Sequence, residues 1–147
     1  MSPSAAPVLE PQPRGIPLPR PSDRSQPFWD GCRQGRLVLP RCSSCGTYAL
    51  RAFAACSNCH ETTLGWEQMS GRGCLYSWTV VWRPQHPSFK VPYAPAVMAV
   101  DEGWWLMTSV IGCAPEALRD GLPLQVEFHP AGEDIWLPYA RPVDARS

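Results

Sequence analysis

Arg41-Cys42-Ser43-Ser44-Cys45-Gly46, followed by Cys56-Ser57-Asn58-Cys59, is the most informative part of this sequence. Each Cys-x-x-Cys turn can present two sulfurs about one metal diameter apart, and the ten residues between the turns form an arm that folds one turn against the other. Four thiolates brought together in this way suit tetrahedral ligation. We therefore predict a structural zinc ribbon with the metal ligands Cys42, Cys45, Cys56 and Cys59; two disulfides or free thiols are the alternatives.

The remaining cysteines favour reduced thiols. The chain has seven cysteines, an odd number, and Cys32, Cys74 and Cys113 share no common spacing. Residues 1–25 lack the apolar run of a secretion signal, and no apolar stretch is long enough to span a bilayer. We expect a cytoplasmic protein with no membrane contact, in which paired cysteines hold metal. Four thiolates also suit iron, so the sequence leaves zinc and iron open.

Charge argues against nucleic-acid binding. The chain carries 13 basic and 13 acidic residues, a formal net charge of zero. Residues 70–147 hold six basic against eight acidic side chains, so this half lacks the clustered positive charge that phosphate backbones require. A single-stranded nucleic-acid-binding module is nevertheless a competing interpretation, because barrel aromatic side chains can stack on bases.

Composition divides the chain into segments. Residues 1–25 contain seven of the 18 prolines and are expected to be a disordered or extended tail. Residues 26–69 are expected to form a short helix, from Gln26 to Gln34, and the ribbon, with a strand over 36–41 and a returning arm over 48–53. Phe28 and Trp29 project from this helix, either as cover for the ribbon core or as a partner interface.

From Gly71 onward the periodicity changes to that of strands. Bulky residues at 74, 76, 78, 80 and 82 share one face of the first strand, and a mixed set shares the other. Further strands are expected over 96–100, 104–111, 124–129 and 135–139, with a helical turn over 114–119. Trp104 and Trp105 are adjacent and must point to opposite faces. The pattern predicts a mainly β chain in which residues 70–142 form a five-stranded OB-fold barrel and 143–147 a tail.

Several ordered motifs carry a resemblance to the DUF35 family of zinc-ribbon, OB-fold proteins. Beside the paired cysteines they comprise the stretches Pro27-Phe28-Trp29-Asp30-Gly31, Gly71-Arg72-Gly73, Pro92-Tyr93-Ala94 and Gly121-x-Pro123-Leu124. The chain departs from the family pattern at Cys74 and at His60, where the family often has glycine.

The resemblance implies a non-catalytic partner within a hetero-oligomer. Family members assemble with thiolase-like enzymes, with steroid side-chain aldolases or with MaoC-like enoyl-CoA hydratases, and the barrel can help to hold or channel an acyl-CoA thioester of lipid, steroid or polyketide metabolism. The competing interpretations from other classes are the nucleic-acid module and a stand-alone acyl-CoA-binding protein or small enzyme.

The residues themselves offer no convincing catalytic constellation. The three histidines form no recognisable pair, and no nucleophile elbow, phosphate loop or dinucleotide fingerprint is present. The proline-rich loop from Pro84 to Pro95 is the best candidate for substrate contact. Arg83 and Lys90 could meet the phosphates of CoA, and Phe89 or Tyr93 an adenine or acyl group; a surface loop that caps the barrel is the alternative.

Overall fold

In the computed structural model, residues 6–49 and 54–144 are described. Their elements are one helix, seven strands and a 3-10 turn at Pro115–Ala117. The helix is α1 (Gln26–Arg33), and the strands are β1 (Val38–Cys42), β2 (Leu64–Gln68), β3 (Arg72–Trp78), β4 (Ala94–Val100), β5 (Trp105–Val110), β6 (Pro123–Pro130) and β7 (Trp136–Pro142). No helix in these ranges is long and apolar enough to cross a membrane.

The small N-terminal lobe is built on β1 and β2. They pair antiparallel over their full length, from Val38 opposite Gln68 to Cys42 opposite Leu64. The strand expected over 36–41 is therefore present, shifted toward the first cysteine. Strand β2 is not predicted by the sequence, because its glycine and polar residues have low strand propensity. Most of the expected arm over 48–53 lies outside the described residues.

Strands β3 to β7 close into a barrel in the order β3-β4-β5-β7-β6. Antiparallel ladders join β3 to β4, β4 to β5 and β6 to β7, and β3 returns onto β6. A parallel bridge from Val110 to Ala140 completes the ring. This confirms the predicted five-stranded barrel of the OB type. The helical turn expected over 114–119 is the shorter 3-10 turn.

The barrel interior and the ribbon share one apolar core. Leu75, Met98 and Leu124 fill the barrel and are at most 1% exposed. Leu39 of β1 belongs to the same buried cluster, as does Trp104 immediately before β5. Because apolar side chains from both lobes are removed from water together, burial of this cluster holds the ribbon against the barrel.

Strand β3 differs from its expected alternation. The bulky side chains face outward: Tyr76 is 53% and Trp78 37% exposed, whereas Leu75 on the other face is fully buried. Cys74 is partly buried. The register of β3 against β4 also shifts between Leu75 and Ser77, so a bulge interrupts the alternation within the strand. Strand β3 also ends at Trp78 rather than at Arg83.

The proline-rich N-terminal segment lies against the barrel. Leu9 is 1% exposed and belongs to the core cluster. Its N–H donates to the Cys113 carbonyl (2.8 Å), and its own carbonyl accepts from the Gly112 N–H (2.7 Å). The Gln12 N–H donates to the Tyr139 hydroxyl (3.0 Å). Residues 8–12 thus form what we call the N-terminal strap, held by one buried side chain and several hydrogen bonds.

Candidate metal centre and the adjoining groove

The two cysteine turns have the same local structure. Cys42 lies at the end of β1, and its N–H donates to the Thr47 carbonyl (2.9 Å) while its carbonyl accepts from the Gly46 N–H (2.8 Å). In the second turn the Cys56 N–H donates to the Glu61 carbonyl (2.8 Å), and the Cys56 carbonyl accepts from the His60 N–H (2.9 Å). Each turn therefore holds its two cysteines side by side on a closed backbone loop.

The turns bring four sulfurs into one cluster. All four Sγ atoms lie within 4.8 Å of one another. The Sγ atoms of Cys42 and Cys59 are 3.6 Å apart, as are those of Cys45 and Cys56. Four sulfurs about 2.3 Å from a central zinc would be about 3.8 Å apart at the corners of a tetrahedron. The four cysteines are thus positioned to bind one metal ion, although the sequence alone also allowed disulfides.

One threonine hydroxyl lies close to each of two sulfurs. The Thr63 hydroxyl lies 3.4 Å from Cys42 Sγ and lowers the pKa of that thiol. The Thr47 hydroxyl lies 3.2 Å from Cys45 Sγ and, with the Thr47 backbone N–H, lowers the pKa of Cys45 to about 6. Both contacts favour the thiolate, the form that binds metal. Sequence reasoning missed these threonines, although a hydroxyl residue two positions after the second cysteine is a visible signal.

The neighbouring thiol groups affect the pKa of the fourth cysteine, Cys59. A hydrogen bond from the Glu61 backbone lowers the pKa of Cys59, but burial and the neighbouring thiol groups outweigh it and raise the pKa to about 12. With all four sulfurs inside one cluster, the donor set is complete, and no protein position is left open for a substrate. Such closed sites are structural rather than hydrolytic. Cys32, Cys74 and Cys113 lie outside the cluster.

An apolar groove lies where helix, ribbon and barrel meet. Its volume is about 500 Å³, and its walls include Phe28, Trp29, Pro40, Trp66, Trp105 and Met107. None of the residues that line it is charged. Trp105 is 58% and Met107 74% exposed, and the Trp105 ring stacks on Tyr76 with 4.9 Å between the ring centres. The groove is therefore an open, aromatic surface.

The predicted interface residues lie in this groove. Phe28 and Trp29 pack edge to face, with ring centres 5.0 Å apart, and both also border a second apolar hollow of about 320 Å³ beside Met107. Phe28 additionally packs against the buried core. The rule that Trp104 and Trp105 point to opposite faces holds: Trp104 is 7% and Trp105 58% exposed. An interface role for Phe28 and Trp29 stays a prediction.

The four residues proposed for substrate contact lie in or beside the 84–95 loop. Phe89 and Tyr93 stack with ring centres 5.6 Å apart, and Arg83 is exposed. The Lys90 ammonium pairs with the Glu10 carboxylate of the N-terminal strap, and the Lys90 N–H donates to the Gln12 side chain (2.8 Å). The loop is thus tied to the strap, and its role in CoA binding stays a prediction.

The comparisons with known proteins agree with this architecture. Residues 29–65 match the family model of the ChsH2 rubredoxin-like zinc ribbon domain, and residues 66–129 that of the ChsH2 C-terminal OB-fold domain. The chain is similar to one solved in the Ltp2-ChsH2(DUF35) aldolase, with a TM-score of 0.79 and 30% identity over 85% of this chain and 98% of that one. A DUF35 structure from Sulfolobus solfataricus, at 13% identity and a TM-score of 0.57, shares the fold.

Two curated relatives extend the comparison. The chain is 33% identical over 126 residues to a probable enoyl-CoA hydratase alpha subunit of Thermomonospora curvata, a match that covers 84% of this chain and 40% of that protein. It is 29% identical over 100 residues to a DUF35 domain-containing scaffold protein of Methanocaldococcus jannaschii, covering 67% and 71% of the two chains. The chain thus spans less than half of the hydratase subunit. With both domain models matched in order, and a solved relative covered almost end to end, the chain belongs to the DUF35 family of zinc-ribbon, OB-fold proteins.

Proposed function

We propose that this chain is a non-catalytic accessory subunit of an acyl-CoA-processing enzyme. The observation that carries the proposal is the match over 98% of the solved chain from the Ltp2-ChsH2(DUF35) aldolase. Relatives described as a hydratase alpha subunit and as scaffold proteins support the same class of role. The catalytic partner would be a thiolase-like enzyme, an aldolase of that superfamily or a MaoC-like hydratase.

The contacts that the cysteine sulfurs and two histidine side chains make among the described residues support an accessory role. The four-sulfur cluster has no open ligand position. His86 Nδ1 is 2.7 Å from the Ser88 hydroxyl in an exposed loop, and His129 Nε2 is 3.0 Å from the Glu127 carboxylate on the barrel wall. The Ser88 N–H also donates to His86 Nδ1 (3.2 Å), so the His86–Ser88 contact belongs to a local turn. Among the described residues no carboxylate hydrogen-bonds the His86 ring to orient it, so we expect general-base activation to come from a partner.

Co-purification with a catalytic subunit tests the proposal. The full chain, tagged, would be co-expressed with each thiolase-like or MaoC-like protein encoded beside it, and the product tested with acyl-CoA substrates for thiolytic, retro-aldol and hydration reactions. We expect a stable hetero-oligomer whose activity needs both chains or rises sharply with this one. Turnover by this chain alone, or the failure of every such partner to bind it, would contradict the proposal.

We further propose that the cluster holds zinc, bound by Cys42, Cys45, Cys56 and Cys59 in a reducing cytoplasm. When bound, the ion would tie the two turns together and so supply folding free energy rather than reactivity. Metal analysis should give one zinc per chain and no iron absorption bands. A Cys56→Ser variant should lose the metal, whereas Cys74→Ser, outside the cluster, should keep it. Iron bands, or a fully folded chain without metal, would refute this assignment.

A further inference from the structure

Among the described residues, strand β2 has one open edge, on the side away from β1. The Met69 N–H donates to the Leu37 carbonyl (2.7 Å) and the Ser43 N–H to the Thr63 carbonyl (3.0 Å), so the odd-numbered residues at both ends of β2 bond toward β1. Backbone groups alternate sides along a strand. The N–H and carbonyl groups of Leu64, Trp66 and Gln68 therefore point away from β1.

The hydrogen bonds of strand β1 lead to the same geometry. Pro40 stands opposite Trp66, and the Pro40 carbonyl accepts from the Ala49 N–H (2.9 Å), on the side of β1 that faces away from β2. The Pro40–Trp66 pair is thus a non-hydrogen-bonded pair. In the part of the chain that the structure describes, β1 is the one strand paired with β2.

The open edge and the apolar groove meet at Trp66. Its side chain lines the groove and is 37% exposed, while its backbone groups belong to the open edge. Four residues of β2 are exposed in all. Unpaired edges are usually blocked or covered in folded proteins, because their free N–H and carbonyl groups pair readily with another chain.

We propose that an extended segment of the catalytic partner adds to the open edge of β2 as a third strand and inserts an apolar side chain into the groove. The inference rests on the proposed function and specifies the surface by which this chain binds its enzyme. In this mode main-chain hydrogen bonds supply affinity, and the pocket beside the strand supplies specificity. The groove, lined by aromatic and aliphatic side chains without charge, selects an apolar side chain.

Exposure and composition favour a polypeptide occupant over a small ligand. Small-molecule sites enclose most of their ligand, whereas Trp105 and Met107 are more than half exposed. The exposed area of Tyr76, Trp66, Trp105 and Met107 is on the order of 500 Å², more than half of the ~800 Å² that one partner buries in a standard interface. Tryptophan, tyrosine and methionine are also the residues enriched in interface centres.

Two kinds of variant separate the groove from the edge. Trp105→Ser with Met107→Ser removes the groove wall, and Trp82→Ser is the matched control because Trp82 is 56% exposed and lies outside the groove. Gln68→Pro removes an N–H from the open edge without touching the β1 ladder, since proline is tolerated at free edges. Gln68→Ala is its control and keeps the N–H. Metal content and melting temperature would establish that each variant is folded.

Binding of the co-purified catalytic subunit to each full-length variant tests the inference. We expect the groove variant to bind roughly tenfold to a hundredfold more weakly and Gln68→Pro to bind at least about fivefold more weakly than Gln68→Ala. The Trp82→Ser variant should bind like the wild type.

Other outcomes would reject this inference in distinguishable ways. Wild-type affinity in both folded test variants would refute the inference but leave the proposed function intact. If the wild type binds no catalytic subunit, the proposed function fails, and the inference fails with it. If the isolated wild type dimerises and Gln68→Pro abolishes the dimer without weakening the hetero-complex, the edge serves a second copy of this chain instead.

Discussion

Gly46 and His60 occupy the same position in the two cysteine turns. Each follows the second cysteine of its turn, each donates its N–H to the carbonyl of the first, and both have left-handed backbone angles, with φ of 78° and 64°. Glycine adopts this conformation without steric cost, whereas a side chain with a Cβ atom does so at a cost of roughly 1–2 kcal/mol. The second turn is therefore strained where the first is not.

We predict that His60→Gly stabilises the zinc-bound protein. Relief of the left-handed strain, reduced by the greater flexibility of glycine in the unfolded chain, should raise the free energy of unfolding by about 0.5–1 kcal/mol. Urea unfolding at fixed zinc concentration would measure the change. His60→Ala serves as control, because alanine keeps the strain and removes the imidazole. If alanine stabilises as much as glycine, the imidazole rather than the backbone is the cause.

The N-terminal strap provides a second test. Leu9 is 1% exposed and Val8, its neighbour, is 54% exposed. Truncation of a fully buried leucine leaves a cavity, so Leu9→Ala should lower the free energy of unfolding by about 2–4 kcal/mol. Val8→Ala should change it by less than about 0.5 kcal/mol. Chemical denaturation of both variants would measure the difference, and equal effects would show that the strap does not belong to the core.

The strap also shows where sequence reasoning reaches its limit. Composition predicted a disordered or extended tail, because seven prolines and few large apolar residues give the segment little surface to bury. One leucine suffices here, because Leu9 enters a gap in the barrel core and its backbone bonds to Gly112 and Cys113. Only the tertiary structure creates that gap, so no local pattern could reveal it.

The sequence predicted best those features that depend on residues close together in the chain. The spacing of Cys42, Cys45, Cys56 and Cys59 predicted the cluster, because short backbone turns alone fix it. The adjacency of Trp104 and Trp105 predicted that their rings lie on opposite faces of the strand but not which of them is buried. The sequence did not show which face of β3 packs on the core, because that depends on how the strand pairs with β4 and β6. The groove is formed jointly by the helix, the ribbon and the barrel, so no single stretch of the sequence predicts it.

The carboxylate of Glu127, on the barrel wall, is expected to make the free energy of unfolding sensitive to acid. Hydrogen bonding from Arg141, with a further contribution from His129, holds the pKa of Glu127 below its ordinary value. The unfolded chain therefore binds a proton more readily than the folded one. The stability that this pair contributes is present above the ordinary glutamate pKa of about 4.3 and is lost as the pH falls through the lowered folded value.

We predict that Glu127→Gln lowers the free energy of unfolding at pH 7 and that its difference from the wild type shrinks toward pH 3. The Glu127 side chain is 32% exposed, so solvent screening keeps the effect at or below about 1 kcal/mol. Urea titrations across this range would measure it. Glu133→Gln, a change at an exposed carboxylate, is the control, and loss in acid of the proposed zinc would affect all three proteins alike. A difference that is constant with pH would contradict the ion-pair explanation.

Because Glu10 pairs with Lys90, the predicted CoA contact can be tested by a gain of acyl-CoA affinity as well as by a loss. Both side chains are more than half exposed, so Glu10→Gln should free the ammonium without disturbing the core. If Lys90 contacts a CoA phosphate, Glu10→Gln should tighten acyl-CoA binding by the assembled complex severalfold, and charge reversal at Arg83 and Lys90 should weaken it at least about threefold. Calorimetric titration of the complex with one acyl-CoA would measure both changes.

A Lys90→Gln background provides the control for this last prediction. There the Glu10→Gln change should leave acyl-CoA affinity unaltered, because no ammonium remains to be freed. Unchanged affinity in both Glu10→Gln and the charge-reversed variant would remove the loop from the binding site. Tighter binding from Glu10→Gln in both backgrounds would mean that the carboxylate itself repels the ligand, and Phe89 and Tyr93 would then be the loop residues left to test.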